Sequence, residues 1–409
     1  MLSQSSRFFV YFVDRFSGHP KIRSTNYTKH TNTTNSVSSM IGTASLTERL
    51  TQRIQSEGPI TFAEFMRSAL YDPEGGYYCR NDIERWGREG DYRTSPERSE
   101  LFAATFARYF ARLHEELGGP ARWTILEAGA GSGHFAHGVL QTLASHLPKV
   151  FAATRYVIDE VSGSAQSRCR ERVKAFAGRV EFAPVGRVNL EPGVIFSNEL
   201  LDAFPVHRVT RQGSELKEFF VDVDVNGNFV WILDSPSTTR LQAHVDLCAT
   251  VVNEGQIVEI SLELENWIAT IAGSLKEGFV VSVDYGARAA DLLASSPDHP
   301  RFAGTLRGFR KHAFVDDVLA NPGAQDLTAT VNWTAVEKLG ELHQLRVIDF
   351  KPQDGFLIDA GLLDQLEIES RNAIGDADRL RLSTTAREMI LPDGMAAKFQ
   401  VMIQRKGVV

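Results

Sequence analysis

Residues 123–145 confine the chain to a narrow set of folds. Trp123-Thr124-Ile125-Leu126-Glu127-Ala128 is an apolar run of strand length, and Gly129-Ala130-Gly131-Ser132-Gly133 follows it directly. From about His134 to Ser145 the spacing predicts a helix. The same alternation continues downstream. Arg155–Val161, Val180–Val185, Val194–Ser197, Phe279–Tyr285, Leu345–Phe350 and Phe399–Gln404 are further apolar runs of strand length, most of them separated by helical segments. Near-continuous apolar strands alternating with helices predict an α/β fold whose mostly parallel sheet of seven strands is covered on both faces. Within Pro205–Asp234 the pattern changes to polar–apolar alternation around Asn226-Gly227, which predicts an inserted antiparallel hairpin.

The glycine loop carries the first chemistry. Glycines there let backbone approach a ligand closely, and the helix start offers unpaired N–H groups. Two cofactor geometries fit. Gly131, Gly133 and Ala136 satisfy the G-x-G-x-x-G/A string of a dinucleotide site. Gly129, Gly131 and Gly133 directly after Glu127 instead give G-x-G-x-G, the frame of sites for S-adenosylmethionine (SAM). The second frame is favoured, and three alternate glycines argue against a ligand-free turn. The next strand ends Asp159-Glu160, and an acid at that tip accepts hydrogen bonds from ribose hydroxyls. Neighbours on a strand point to opposite faces, so only one of the two faces the cofactor; Glu160 is taken as the candidate.

Composition narrows the remaining options. A net charge of −7 and a pI near 5.9 exclude a broad electrostatic footprint for nucleic acid. The three cysteines, Cys79, Cys169 and Cys248, form no CxxC pair, which argues against a zinc knuckle or disulfide scaffold. No stretch approaches the ~20 apolar residues of a membrane span. His134 and His137 share a helix face, yet no third ligand type joins them, so no metal is expected. From Met1 to Ser45 a single acid, Asp14, stands among Arg, Lys, Ser, Thr and Asn. That segment is expected to be disordered; a mitochondrial transit peptide or a start placed upstream of Met40 would have the same composition. The default compartment is therefore cytoplasmic, with the mitochondrial matrix as the alternative. The domain organisation expected is a helical N-terminal extension and lid over 46–118 and a SAM-binding domain over 119–409, with an insertion at about 205–260.

Several blocks in register carry a family resemblance. Gly58-Pro59-Ile60-Thr61-Phe62, Tyr71-Asp72-Pro73-Glu74-Gly75-Gly76-Tyr77-Tyr78, Gly90-Asp91-Tyr92-Arg93-Thr94-Ser95-Pro96-Glu97, Ser197-Asn198-Glu199-Leu200-Leu201-Asp202-Ala203-Phe204-Pro205, Val283-Asp284-Tyr285-Gly286 and Gly323-Ala324-Gln325-Asp326 follow one another in the chain. In that order they resemble the MidA-like SAM-dependent methyltransferases, the family of the mitochondrial complex I assembly methyltransferase and its bacterial relatives. The resemblance covers nearly everything from Gly58 to Lys406. It implies a class I, Rossmann-like methyltransferase fold and SAM as cofactor. It also implies a protein acceptor, an arginine on a respiratory complex I subunit in the mitochondrial member.

An arginine acceptor is cationic and needs carboxylates to hold its guanidinium. Glu199 and Asp202 lie just beyond the fourth strand, at the sheet edge where α/β enzymes place ligands. Asp284 follows the fifth strand, and Asp326 sits in a loop rich in Gly and Pro. These four are the catalytic candidates, Glu199 first. Glu127, Gly129, Gly131, Gly133, Glu160 and Asn198 are the cofactor candidates, with Thr94 and Ser95 in a Gly90–Glu97 lid. Two positions depart from the family pattern: Ala324 replaces an acid, and Gly186-Arg187-Val188-Asn189 lacks the acid often found on the adenine side. Three functions stay open: a protein arginine methyltransferase, a methyltransferase for a small molecule or another side chain, and a non-catalytic SAM-binding assembly factor. For the first and third, the hairpin with Trp231 offers a partner surface.

Overall fold

The computed structural model describes residues 44–80, 100–248, 250–293, 296–310, 313–391 and 398–407. Most of the N-terminal segment and the whole Gly90–Glu97 stretch, including Thr94 and Ser95, lie outside the described residues. Two capping boxes start the described chain. Ser45 with Glu48 and Thr61 with Glu64 each exchange side-chain and backbone hydrogen bonds at the starts of helices Leu46–Glu57 and Phe62–Tyr71.

The chain first forms a short β1 (Ile60–Thr61), then β2 (Trp123–Ala128), β3 (Thr154–Asp159), β4 (Val180–Phe182) and β5 (Gly193–Asn198). The inserted region gives β6 (His207–Gln212), β7 (Glu215–Val223), β8 (Phe229–Asp234) and β9 (Val258–Ile260). β10 (Gly278–Ala287) returns to the main sheet. β11 (Arg307–Arg310), β12 (Ala313–Val315), β13 (Asp326–Thr328) and β14 (Val331–Asn332) follow, and β15 (Arg346–Pro352) and β16 (Phe399–Lys406) close the fold.

The main sheet is mixed. Its order is β15-β16-β10-β5-β2-β3-β4, with β14 beside β10. β3–β4, β2–β3, β2–β5 and β5–β10 pair in parallel, whereas β16 runs antiparallel to both β10 and β15. Parallel neighbours need crossovers, which bring helices onto the sheet faces. Alternation along β2 sends Ile125 to one face and Leu126 to the other. Ile125 joins Phe135, Phe106, Phe110, Phe196 and Phe356, while Leu126 joins Leu264, Ile268, Trp333 and Val336. β4 is shorter than the apolar run suggests, because Val185 turns into a 3-10 helix whose first N–H is held by the Asp159 carboxylate at 2.8 Å.

The insertion is larger than a hairpin. The turn at Asn226-Gly227 does join antiparallel β7 and β8, with Asp224 accepting the Asn226 and Asn228 N–H groups. Those strands, however, belong to a five-stranded sheet with β1, β6 and β9. Trp231 is half-buried. Its ring packs on Phe62 at 5.0 Å, and the Arg208 guanidinium lies 4.8 Å from its centroid. Asp326, expected in a loop, is a buried residue of β13, paired with Phe309 of β11. Among the described residues no helix is long and apolar enough to cross a membrane.

The rings of Phe135 and Phe196 stack at 4.1 Å with 9° between planes, and Phe106 and Phe110 close around Phe196. Phe196→Ala is expected to lower stability by about 3–5 kcal/mol, the range for truncating a buried aromatic. Urea unfolding should show this as a lower midpoint at unchanged slope. A loss below about 1 kcal/mol would mean that this cluster is not the centre of the core.

Candidate functional site

Gly129, Gly131 and Gly133 all adopt positive φ, at 72°, 53° and 80°. The conformation alone favours glycine, and packing adds a second reason at Gly133, where a Cβ would sit 2.5 Å from the Cys169 sulfur. The loop is fixed to the next strand, since the Gly129 N–H donates to the Asp159 carbonyl at 2.8 Å. The two acids at the tip of β3 diverge. Glu160 accepts the N–H of Gly131 and the N–H of Ser162, both at 2.8 Å, so its carboxylate lies against the glycine loop. Asp159 turns to Val185 instead. Of the pair left open by the sequence, Glu160 is the one beside the loop.

Glu127 lies at the base of the loop, buried, and accepts a hydrogen bond from the Tyr156 hydroxyl at 2.6 Å. Burial, with a smaller push from the nearby Glu160 charge, raises its carboxyl to about 8. His134 opens the following helix, with Nδ1 2.9 Å from the Ser132 hydroxyl. Burial and the Arg172 charge hold it down to about 4.

The turn after β5 supplies the second half of the site. Glu199 has φ +52°, a left-handed conformation rare for a residue with a side chain. Its N–H donates to the Val283 carbonyl at 2.9 Å, and the Asn198 amide donates to its carboxylate at 3.0 Å. Asp284 Oδ2 accepts the N–H groups of Leu200, Leu201 and Asp202 at 3.1, 2.8 and 3.3 Å, while Oδ1 accepts that of Tyr285. Both its oxygens are therefore engaged with backbone, and it stands behind the turn rather than on the cavity wall. This corrects its expected place among substrate-facing acids: Asp284 builds the turn that presents Glu199 and Asp202.

Glu199, Asp202 and Asp326 do line one cavity, of about 910 Å3, together with Glu127, the glycine loop, Glu160 and Asn198. Small-molecule sites span roughly 300–1,000 Å3, so there is room for a large ligand. Among the described residues, Asn198 Oδ1, Asp202 Oδ1, the Tyr285 hydroxyl and the Thr328 hydroxyl are buried on this cavity without a hydrogen-bond partner. The Tyr285 hydroxyl lies beside Asp202 and Thr328 without forming a bond of standard geometry. Burial and the surrounding Asp284, Asp326 and Glu199 carboxylates push Asp202 well above the usual range. Asp326 accepts the Tyr78 hydroxyl at 2.7 Å, and the Tyr71 hydroxyl donates to the Ala203 carbonyl at 3.1 Å. The sequence brought Tyr71 and Tyr78 into the family blocks but not into the site. Tyr285 and Thr328 were missed too, because a matching block does not show where a hydroxyl points.

A SAM-shaped ligand suits this donor and acceptor set. Glu160 beside the loop offers acceptors for ribose hydroxyls, Asn198 Oδ1 is an unused acceptor, and the three positive-φ glycines leave alternate loop positions without side chains. The sheet, glycine loop and strand-tip acid together define an α/β SAM-dependent methyltransferase. Comparison with known proteins agrees. Residues 105–351 match the family model described as S-adenosyl-L-methionine-dependent methyltransferase, more than half of the chain. The chain belongs to that family, and SAM is its cofactor. It is 27% identical over 331 residues to the Drosophila melanogaster protein arginine methyltransferase NDUFAF7 homolog, mitochondrial, covering 73% of this chain and 71% of that one. Identity to the Danio rerio protein arginine methyltransferase NDUFAF7, mitochondrial, is 26% over 389 residues, or 87% and 86% of the two chains. A Burkholderia thailandensis protein crystallised with S-adenosylhomocysteine superimposes with a TM-score of 0.77 at 28% identity, covering 89% of this chain and 92% of that one. The dinucleotide frame of the glycine loop is set aside.

The raised Glu127 carboxyl has a measurable consequence. Unfolded, it titrates near its ordinary 4.5; folded, near 8. Between these values the folded chain holds a proton that the unfolded chain lacks, so this residue's contribution makes stability fall as pH rises. Glu127→Gln keeps the shape without an ionisable group and should abolish that contribution. The stability advantage of the variant over wild type is expected to grow between about pH 5 and about pH 8, as measured by urea unfolding. A constant difference across that range would show that Glu127 is ionised throughout.

Proposed function

We propose that the protein methylates an arginine side chain of a protein acceptor. The observation that carries this reading is the company of Glu199, Asp202 and Asp326 on one wall of the cavity, with Asp202 Oδ1 buried and unpartnered. A wall of carboxylate acceptors calls for a ligand rich in donors. Guanidinium has five N–H donors, no acceptor and a positive charge, and so meets that need better than a neutral acceptor would. The printed names of the relatives, protein arginine methyltransferases, favour the same acceptor.

SAM supplies a methyl group on a sulfonium, a reaction that depends chiefly on holding the acceptor in line. In this reading Glu199 orients the guanidinium and takes the proton released as its nitrogen becomes alkylated. Asn198 holds one Glu199 oxygen, and Asp284 holds the turn from behind. Asp202 accepts from the same guanidinium, with both oxygens when ionised and with its carbonyl oxygen when protonated. The glycine loop and Glu160 bind the cofactor. The family resemblance makes a respiratory complex I subunit the first acceptor to examine. Because the named relatives are mitochondrial, we place this protein in the mitochondrion rather than in the cytoplasm.

Incubation with labelled SAM and total cell protein, followed by mapping of the modified residue, tests the reading. Methylarginine is expected; label only on another side chain or on small molecules would overturn it. Glu199→Gln should reduce turnover by about 10²–10⁴-fold, the range for a positioned acid–base group. S-adenosylhomocysteine affinity should change by less than about threefold, because the cofactor contacts are elsewhere. Wild-type turnover in this variant would remove Glu199 from the acceptor site.

A further inference from the structure

Arg67, Tyr71 and Tyr78 of the helical N-terminal extension line the cavity and make contacts across it. Arg67 pairs with Glu263 at 2.7 Å on the rim, the Tyr71 hydroxyl reaches Ala203 in the turn after β5, and the Tyr78 hydroxyl reaches Asp326 in β13. Of the three, only the last ends on one of the acids assigned to the acceptor. The turn that brings Tyr78 there is tightly built. Asp72 Oδ1 accepts the N–H groups of Glu74 and Gly75, and the Gly76 N–H donates to the Asp72 carbonyl. A Cβ on Gly76 would lie 2.4 Å from the Asp72 nitrogen, so the turn tolerates no side chain at that point. The chain then runs back along the helix it has left: the N–H groups of Tyr77 and Tyr78 donate to the carbonyls of Ala69 and Leu70. Tyr77 is buried inward, and Tyr78 stands against both tyrosine rings, 5.2 Å from Tyr77 and 5.5 Å from Tyr71.

We infer that Tyr78 is a positioning residue of the acceptor site, whose hydroxyl fixes the Asp326 carboxylate on the cavity wall. This inference rests on the reading of that wall as the acceptor site. Backbone pairing in β13 already fixes where the Asp326 side chain starts. A short hydrogen bond from a rigidly held phenol then fixes one of its oxygens. A carboxylate so oriented meets a planar donor with less ordering cost than a rotating one, and a bond to an ionised acceptor is about twice as strong as a neutral one. The helical N-terminal extension in this way contributes to the site instead of merely bracing the sheet.

A double-mutant cycle tests the inference on the full chain. Labelled SAM is supplied at saturation, total cell protein serves as the acceptor, and initial incorporation rates are measured against acceptor concentration for wild type, Tyr78→Phe, Asp326→Asn and the double variant. Tyr78→Phe is expected to lower kcat/KM for the acceptor about tenfold, the size expected when a charge-assisted hydrogen bond is lost. S-adenosylhomocysteine affinity, read by calorimetry, should stay within about twofold of wild type. If Tyr78 acts through Asp326, the double variant should be no slower than Asp326→Asn alone. Losses that multiply, an unaltered kcat/KM in Tyr78→Phe, or a matching loss of cofactor affinity would each overturn the inference. Mapping the labelled residue separates this result from the arginine reading. Non-additive losses with a non-arginine product would keep the role of Tyr78 and discard the arginine. Multiplying losses on methylarginine would do the reverse.

Discussion

A buried carboxylate holds the architecture of the site together. Asp284 is fully enclosed on β10, next to the end of β5, where Val283 pairs with Asn198. It gathers the N–H groups that the chain leaves unpaired as it departs β5 into the Leu201–Ala203 turn. Buried backbone donors without partners are costly, and one side chain satisfies three of them at once. The left-handed Glu199 depends on the same arrangement. A residue with a side chain holds that conformation only where its surroundings over-determine it, and here the following turn is pinned to Asp284 while the Glu199 N–H is pinned to Val283.

The electrostatics follow from that geometry. Burial pushes both Asp284 and Asp202 upward. Their surroundings nevertheless differ. Asp284 is met by four backbone N–H donors, which favour its charged form, whereas Asp202 faces three carboxylates and has an oxygen with no donor. Of this interacting pair, Asp202 is the better holder of the proton and Asp284 of the charge. A cation beside Asp202, as the arginine reading supplies, would shift that balance towards ionised Asp202.

Much of the sheet was legible because buried parallel strands write themselves as continuous apolar runs. The runs beginning near Trp123, Arg155, Val180, Val194, Phe279, Leu345 and Phe399 all became strands of the main sheet. The glycine loop was legible for a related reason, since strand, turn and helix are adjacent in sequence. What sequence could not show was where a side chain spends its hydrogen bonds. Asp284 and Glu199 both read as acids at the same sheet edge, yet one faces backbone and the other the cavity. Asp326 read as a loop residue because Gly and Pro flank a strand only three residues long. Trp231 read as part of a partner surface, and nothing in its own strand reveals Phe62, which packs on one side of it from the N-terminal helix.

The two halves of the cavity are assembled over very different sequence distances, and this bears on how each can change. Gly131 and Glu160, which meet at the cofactor side, are 29 residues apart, within one strand–helix–strand unit. Tyr78 and Asp326, which meet on the wall proposed for the acceptor, are 248 residues apart. The first pairing is fixed by local geometry that any chain forming this unit reproduces. The second requires the N-terminal segment and the β11–β13 sheet to arrive at the same place, each on its own scaffold. Changes in either scaffold can therefore reshape the acceptor wall while leaving the glycine loop untouched. On the proposed reading, a cofactor site specified locally and an acceptor site specified over long range would let one methyl donor serve different acceptors.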